Sequence, residues 1–223
     1  MISILMPIYN GIEFFTTSLH SIISQTFTEW ELIIAINGHP YNSNIYNFVK
    51  HVVSKYPQLS HKIKIFDFYY ISGKSNALNA MLEHCKYNYV ALLDVDDIWL
   101  DNKLEKQSIH LNNYDVIGSK CVYFDIHEQT TNGPNLPVGD FSNFNFKLFN
   151  PIINSSSVIR KELCYWNNSI DGVEDYDLWL KLKRDNKKFY NCSDILVKHR
   201  LHEGSAFNSN GNSLMVQDLL NKY

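Results

Sequence analysis

The sequence predicts an α/β fold with a mostly parallel central sheet and helices on both faces. Three observations carry this expectation. In the first hundred residues, short apolar runs alternate with stretches of helical periodicity, an order that implies right-handed crossovers and parallel strands. The 223 residues are 45% hydrophobic and include 14 Tyr and 13 Phe, enough for a substantial core and too many for a disordered chain. No repeat or linker-like segment interrupts the pattern, so residues 1–223 read as one domain.

Each element has its own justification. Residues 2–8, 31–36, 63–66 and 89–93 are runs of strand length, rich in β-branched or aromatic residues and ended by polar residues or Gly. Residues 13–24, 45–56 and 74–85 have helical patterns and lie between them. In such sheets ligands sit beyond the carboxyl ends of the strands, which directs attention to the residues after each strand. Beyond Asp97 the pattern loosens. Asn102 and Glu105 have the spacing of a capping box and predict a helix over 102–112. Residues 116–124 and 152–159 read as strands, and 130–139, with its Gly, Pro and Asn, reads as a loop. Residues 176–183 form a helical pattern with Leu178, Trp179 and Leu182 on the apolar side. Residues 189–201 read as extended and 213–222 as a short amphipathic helix.

Composition excludes several classes. A net charge of −3 argues against a nucleic-acid partner, which selects a basic face. No apolar run approaches the ~20 residues of a transmembrane segment, and no basic leader precedes residues 2–8. The four cysteines are scattered singly, without C-x-x-C pairs, which favours reduced thiols and a cytoplasmic location, free or peripheral to a membrane. Trp99 and Trp166 read as core residues ahead of sugar-stacking ones.

Three constellations can carry chemistry. Leu92-Leu93-Asp94-Val95-Asp96-Asp97 places three carboxylates directly after an apolar strand. Like charges repel and burial opposes ionisation, a conflict that a divalent cation removes. If the segment stays extended, Asp94 and Asp96 share a face; the competing reading is a polar turn that starts the next helix, with Asp97 as solvent-facing punctuation. Gly172-Val173-Glu174-Asp175-Tyr176-Asp177 opens a helix, whose macrodipole stabilises acidic residues and lowers their pKa. One of these carboxylates is a candidate general base, kept ionised by the helix terminus. Arg200 and His202, two apart in an extended stretch, can meet a diphosphate or complete a metal shell. Weaker signals are Pro7-Ile8-Tyr9-Asn10 after the first strand and Gly73-Lys74 at a helix start, where a cation and backbone N–H groups suit phosphate.

Taken in order, these pieces resemble family 2 glycosyltransferases, inverting enzymes of the Rossmann-like GT-A fold that use nucleotide sugars. The resemblance runs from Ile2 to about Asn208. It rests on Ile2-Ser3-Ile4-Leu5-Met6-Pro7-Ile8-Tyr9-Asn10, on Leu19-His20-Ser21-Ile22-Ile23-Ser24-Gln25-Thr26, and on Gly73-Lys74-Ser75-Asn76-Ala77-Leu78-Asn79. Asp94-Val95-Asp96 stands where the family has its D-x-D, followed by Asp97, Trp99 and Lys103-Leu104-Glu105. Glu174-Asp175 resembles the acceptor-side E-D segment, and Arg200-Leu201-His202 with Ser205 resembles the closing R-x-H.

The resemblance implies roles. Residues 1–100 would form the nucleotide-sugar and metal half and 101–223 the acceptor half. Pro7, Tyr9, Asn10, Asn37, Lys74, Asp94, Val95 and Arg200 would line the donor site, with Asp94 at the ribose or base. Asp96 would bind Mn²⁺ or Mg²⁺ at the diphosphate, assisted by His202. Asp175 would take the proton of the acceptor hydroxyl, on a glycan, lipid-linked or protein-linked acceptor. One departure stands out: Ile36-Asn37-Gly38 occupies the place of an acidic pair that contacts the base in many relatives, leaving the donor nucleotide open. Two other readings compete. The D-x-D also fits the nucleophile strand of haloacid-dehalogenase-like phosphohydrolases, although three strands precede it here. The missing acid at Ile36 also fits a degenerate, non-catalytic nucleotide-sugar-binding module.

Overall fold

A computed structural model describes residues 1–170, 172–202 and 212–223. The first block is β1 (Ile2–Ile8), α1 (Phe15–Ile23), β2 (Trp30–Asn37), α2 (Asn44–Val53), β3 (Ile63–Phe68), α3 (Lys74–Leu82) and β4 (Tyr89–Leu92). β1 pairs in parallel with β2 and β4, and β2 with β3. The alternation in the sequence thus yields the parallel strands it implied. Along β1, Ile2, Ile4, Met6 and Ile8 enter one apolar cluster and Leu5 enters the other. Both faces are therefore covered, and this is why the run is continuously apolar rather than alternating.

The second block is β5 (Ile98–Trp99), α4 (Lys103–Ser108), β6 (Val116–Phe124), β7 (Thr130–Asn132), β8 (Gly139–Asp140), β9 (Val158–Arg160), α5 (Glu174–Arg184), β10 (Phe189–Arg200) and α6 (Asn212–Lys222). Among the described residues the strands join one sheet in the order β3-β2-β1-β4-β9-β6-β10-β5, with β7 beside β6 and β8 beside β10. β6 and β10 are parallel, whereas β9 runs antiparallel between β4 and β6. This three-residue strand joins the two parallel blocks.

Several expectations need correction. Asn102 makes no side-chain capping bond, and Glu105 instead accepts from the Thr26 hydroxyl at 2.7 Å. The start of α4 is held from outside: Gln25 Oε1 accepts the Leu104 N–H at 3.0 Å, and its Nε2 donates to Ser21 O and Leu100 O. The expected strand over 152–159 shrinks to β9, since Asn154–Ser156 is a 3₁₀ turn. Ser156 and Ser157 hydroxyls bond back to Ile153 O and Asn154 O at 2.8 and 2.7 Å, competing with a ladder. The loop over 130–139 begins with β7 and ends with the first residue of β8. Trp99 and Trp166 are core residues, and all four cysteines are buried and free. Among the described residues no helix is long and apolar enough to cross a membrane.

Candidate active site

The acidic segment after β4 is a turn, not an extended strand. Asp97 N donates to Asp94 O at 3.1 Å, so the expected sharing of one face by residues two apart does not arise from pleating. What positions the three carboxylates is a separate set of partners for each. Asp94 accepts from Lys74 Nζ at 2.7 Å on one oxygen and from Asn154 Nδ2 at 2.9 Å on the other. Its backbone N–H donates to Ser155 Oγ at 3.1 Å, so the turn at Asn154–Ser156 cradles it. Burial pushes the Asp94 pKa up, but the Lys74 ammonium and these bonds hold it below the usual carboxylate range.

The polar-turn reading had the turn but not its exposure, because Asp97 is fully buried. Its oxygens accept from Arg200 N at 2.9 Å and pair with His199 Nδ1 at 3.0 Å. Burial disfavours the charged imidazole, yet the Asp97 carboxylate pushes the His199 pKa up to about 9. This pair fastens the end of β10 to the acidic turn. His199 was not among the sequence candidates, because only the fold places it against Asp97.

Arg200 and His202 both reach Asp96, one at its backbone and one at its carboxylate. Arg200 Nε donates to Asp96 O at 2.9 Å, and its guanidinium lies over the rings of Phe14 and Phe124 at 4.3 and 4.1 Å. His202 Nε2 lies 3.0 Å from Asp96 Oδ2. Asp96 has a raised pKa, first from burial and then from the charges of Asp97 and Asp94. A carboxylate oxygen suits Mn²⁺ or Mg²⁺, and an imidazole nitrogen at the same point suits Mn²⁺ better than the harder Mg²⁺. Among the described residues no group of three or more His, Cys, Asp or Glu is placed to hold an ion. Mg²⁺-type sites combine one or two carboxylates with phosphate oxygens and water. Ser205 lies outside the described residues.

At the end of β1, Tyr9 and Asn10 are exposed and Pro7 is half-buried. His39 Nε2 lies 2.6 Å from Tyr9 O, and the two rings are 5.2 Å apart. Gly38 has φ +72°, and a Cβ there would come within 3.0 Å of the Tyr9 ring. Asn37 is buried, and Val95 packs where a Cβ on Gly11 would meet it at 3.1 Å.

The carboxylates at the start of α5 reach the same place. Glu174 lies 3.5 Å from Lys74 Nζ, so one ammonium touches both acidic segments. Glu174 also accepts from Gly172 N at 2.7 Å. Asp175 accepts from Asn150 Nδ2 at 3.2 Å and from Tyr176 N at 2.7 Å. The expected lowering of its pKa by the helix start is reversed: burial, then the Glu174 charge, push it up to about 6. The dipole of the N-terminal turn is outweighed by desolvation and by a like charge next door. Asp177, the third acid of this turn, is structural: it accepts from Lys222 Nζ at 2.8 Å and Tyr223 OH at 3.0 Å, docking α6.

This architecture is that of a GT-A glycosyltransferase. The chain superimposes on TarS of S. aureus in complex with UDP-GlcNAc with a TM-score of 0.75 at 18% identity, covering 98% of this chain and 65% of that one. It also superimposes on a mannosyltransferase of Pyrobaculum calidifontis in complex with GDP-Man and Mn²⁺, with a TM-score of 0.69 at 14% identity, covering 92% of this chain and 58% of that one. The chain thus spans less than two thirds of these solved chains. Sequence comparison is more specific. The model of glycosyl transferase family 2 matches residues 3–161, and the chain belongs to that family. Two Escherichia coli relatives are the O-antigen biosynthesis glycosyltransferase WbnJ and the UDP-Glc:alpha-D-GlcNAc-diphosphoundecaprenol beta-1,3-glucosyltransferase WfgD. They are 27% and 29% identical, each over 92% of this chain and over 82% and 79% of their own lengths. The phosphohydrolase and the non-catalytic module find no support in these comparisons.

Proposed function

We propose that this chain transfers a single sugar from a nucleotide-sugar donor to an acceptor hydroxyl with inversion at the anomeric carbon. The observation that carries this reading is Lys74, whose ammonium lies 2.7 Å from Asp94 and 3.5 Å from Glu174. One ammonium thereby joins the acidic turn after β4 to the helix start that bears Asp175. Inversion needs a base on one side of the sugar and a stabilised leaving group on the other, which is the division of labour these two clusters offer.

Asp175 is the base that accepts the proton as the acceptor oxygen attacks the anomeric carbon and the bond to the nucleoside diphosphate breaks. A pKa of about 6 keeps it ionised at neutral pH yet basic enough to share a proton in the transition state. Arg200 and Lys74 bring positive charge toward the diphosphate. Asp96 and His202 would hold a divalent cation, which when bound supplies charge stabilisation for the leaving phosphate. The family 2 relative that uses a lipid diphosphate acceptor favours a lipid-linked glycan here over a protein.

The test is release of nucleoside diphosphate from UDP-, GDP- and TDP-sugars with Mn²⁺ and lipid-linked or free glycan acceptors. Asp175→Ala is expected to abolish acceptor-dependent release, and Asp96→Ala to abolish Mn²⁺-dependent release. Wild-type rates in either variant refute the corresponding role.

A further inference from the structure

The carboxylate of Asp175 is gripped by a side chain from outside its helix. Asn150 lies between β8 and β9, just before Pro151, and is half-buried. Its Oδ1 accepts from Ile152 N at 3.2 Å, and its Nδ2 donates to Asp175 Oδ2 at 3.2 Å. An oxygen that meets the N–H two residues on makes a local turn, which Asp, Ser or Thr would make as well. Of these, Asn alone carries an N–H donor beside that oxygen. The Ile152 N–H must face an oxygen, so the amide cannot flip, and Nδ2 is committed to Asp175.

Asn150 is itself fastened on both sides. Asn191 of β10, fully buried, donates from Nδ2 to Pro151 O at 3.0 Å and to Pro137 O at 2.8 Å. On the other side, the buried Phe146 stacks on Phe141, and its carbonyl accepts from the hydroxyl of Tyr176, the residue after Asp175. Each oxygen of a carboxylate offers two lone pairs. At Asp175, Tyr176 N takes one on Oδ1 at 2.7 Å and Asn150 takes one on Oδ2. The first bond comes from the helix that carries Asp175 and the second from a distant part of the chain. Together they fix the carboxylate plane relative to both.

We propose that Asn150 is a positioning residue for the transfer: its amide fixes the plane of the Asp175 carboxylate so that a remaining lone pair meets the acceptor hydroxyl. This assignment rests on the reading of Asp175 as the base. Proton transfer needs the two heavy atoms within hydrogen-bond reach and aligned, which a freely turning carboxyl group does not ensure. The amide N–H donates and cannot accept, so it also favours the ionised form in which a base must start. It acts with Lys74 of α3 against burial and against Glu174 on the same helix. Lys147, the charged residue within 141–152, is exposed.

The test compares wild type, Asn150→Ala, Asn150→Asp and Asp175→Asn by the pH profile of kcat/KM for acceptor, by plateau kcat and by calorimetric titration of nucleoside diphosphate with Mn²⁺. Asn150→Asp keeps the side chain's size and an oxygen for Ile152 N, but puts a second carboxylate where the N–H donor stood. Asn150→Ala is expected to move the acid limb up by about one pH unit and to lower plateau kcat by about tenfold, with nucleotide affinity unchanged. Asn150→Asp is expected to move the limb further, because a like charge then faces the base. An acid limb that stays at its wild-type pH in both variants overturns the assignment and leaves Asn150 a turn residue. Nucleotide affinity lost in step with the rate overturns it too, since a general loss of structure then explains both. Wild-type activity in Asp175→Asn refutes the base itself, and only that result removes the reading on which this assignment rests.

Discussion

At the scale of single residues, Asp175 sits in a conflict. Burial and Glu174 oppose its charge, raising its pKa from 3.8 to about 6, and Lys74 only partly compensates. A base must be unprotonated, so kcat/KM is expected to rise with pH, with an acid limb near pH 6 and a plateau above it. Asp175→Asn is expected to lower kcat by about 10²–10⁴-fold with donor affinity unchanged. The same shift has a stability consequence. The folded state binds the proton more tightly than the unfolded one, so the stability this group contributes is full below pH 3.8 and is lost as pH rises through about 6. Asp175→Asn is therefore expected to melt above wild type at pH 7, with the advantage vanishing near pH 4, as read by calorimetry. Asp94, Asp96, Asp175, Arg200 and His202 were legible in the sequence because each lies in a short motif. The sign of the Asp175 shift was not, because it depends on how deeply the helix start is buried, which local sequence does not state. Asn154 and His199 were missed for a related reason: their partners, Asp94 and Asp97, are distant in the chain.

At the scale of elements, the first four strands and three helices could be read from periodicity, because strands covered on both faces are apolar throughout. The segment over 152–159 misled for the same reason. Ile152, Ile153 and Val158 suit a strand, but the serines between them bond their own backbone and make the turn that holds Asp94. α4 shows another way in which local rules yield to tertiary contacts. Its start is satisfied by Gln25, a buried side chain from beyond α1, and not by the Asn102 that precedes it. Gln25→Ala would leave the Leu104 N–H and the Leu100 carbonyl without this partner. The expected cost is about 2–3 kcal/mol, from chemical denaturation at pH 7. Trp99 Nε1 donates to Ser155 O at 2.6 Å, and Gln107 Nε2 donates to Ser156 O at 2.8 Å. The loss of Gln25 is thus expected to reach the Asp94 cradle and raise the KM for donor as well.

At the scale of the whole molecule, Lys74 couples the two acidic segments. Its own pKa is reduced by burial but raised further by Asp94 and Glu174, so it stays charged. Its charge lowers the Asp175 pKa, so Lys74→Met is expected to move the acid limb of the rate profile above pH 6 and to raise the donor KM. A shift of the limb with no change in donor affinity would limit Lys74 to the base side. The topology itself has a consequence for biosynthesis. β1 to β4 can zip together as soon as they leave the ribosome, but β6 is paired only at its end, by β7, until β9 and β10 have been made. A stalled nascent chain ending before β9 would therefore display a finished parallel block beside a mostly unpaired, sticky strand. Pauses in translation before that point are expected to invite chaperone capture, whereas pauses after β10 are not.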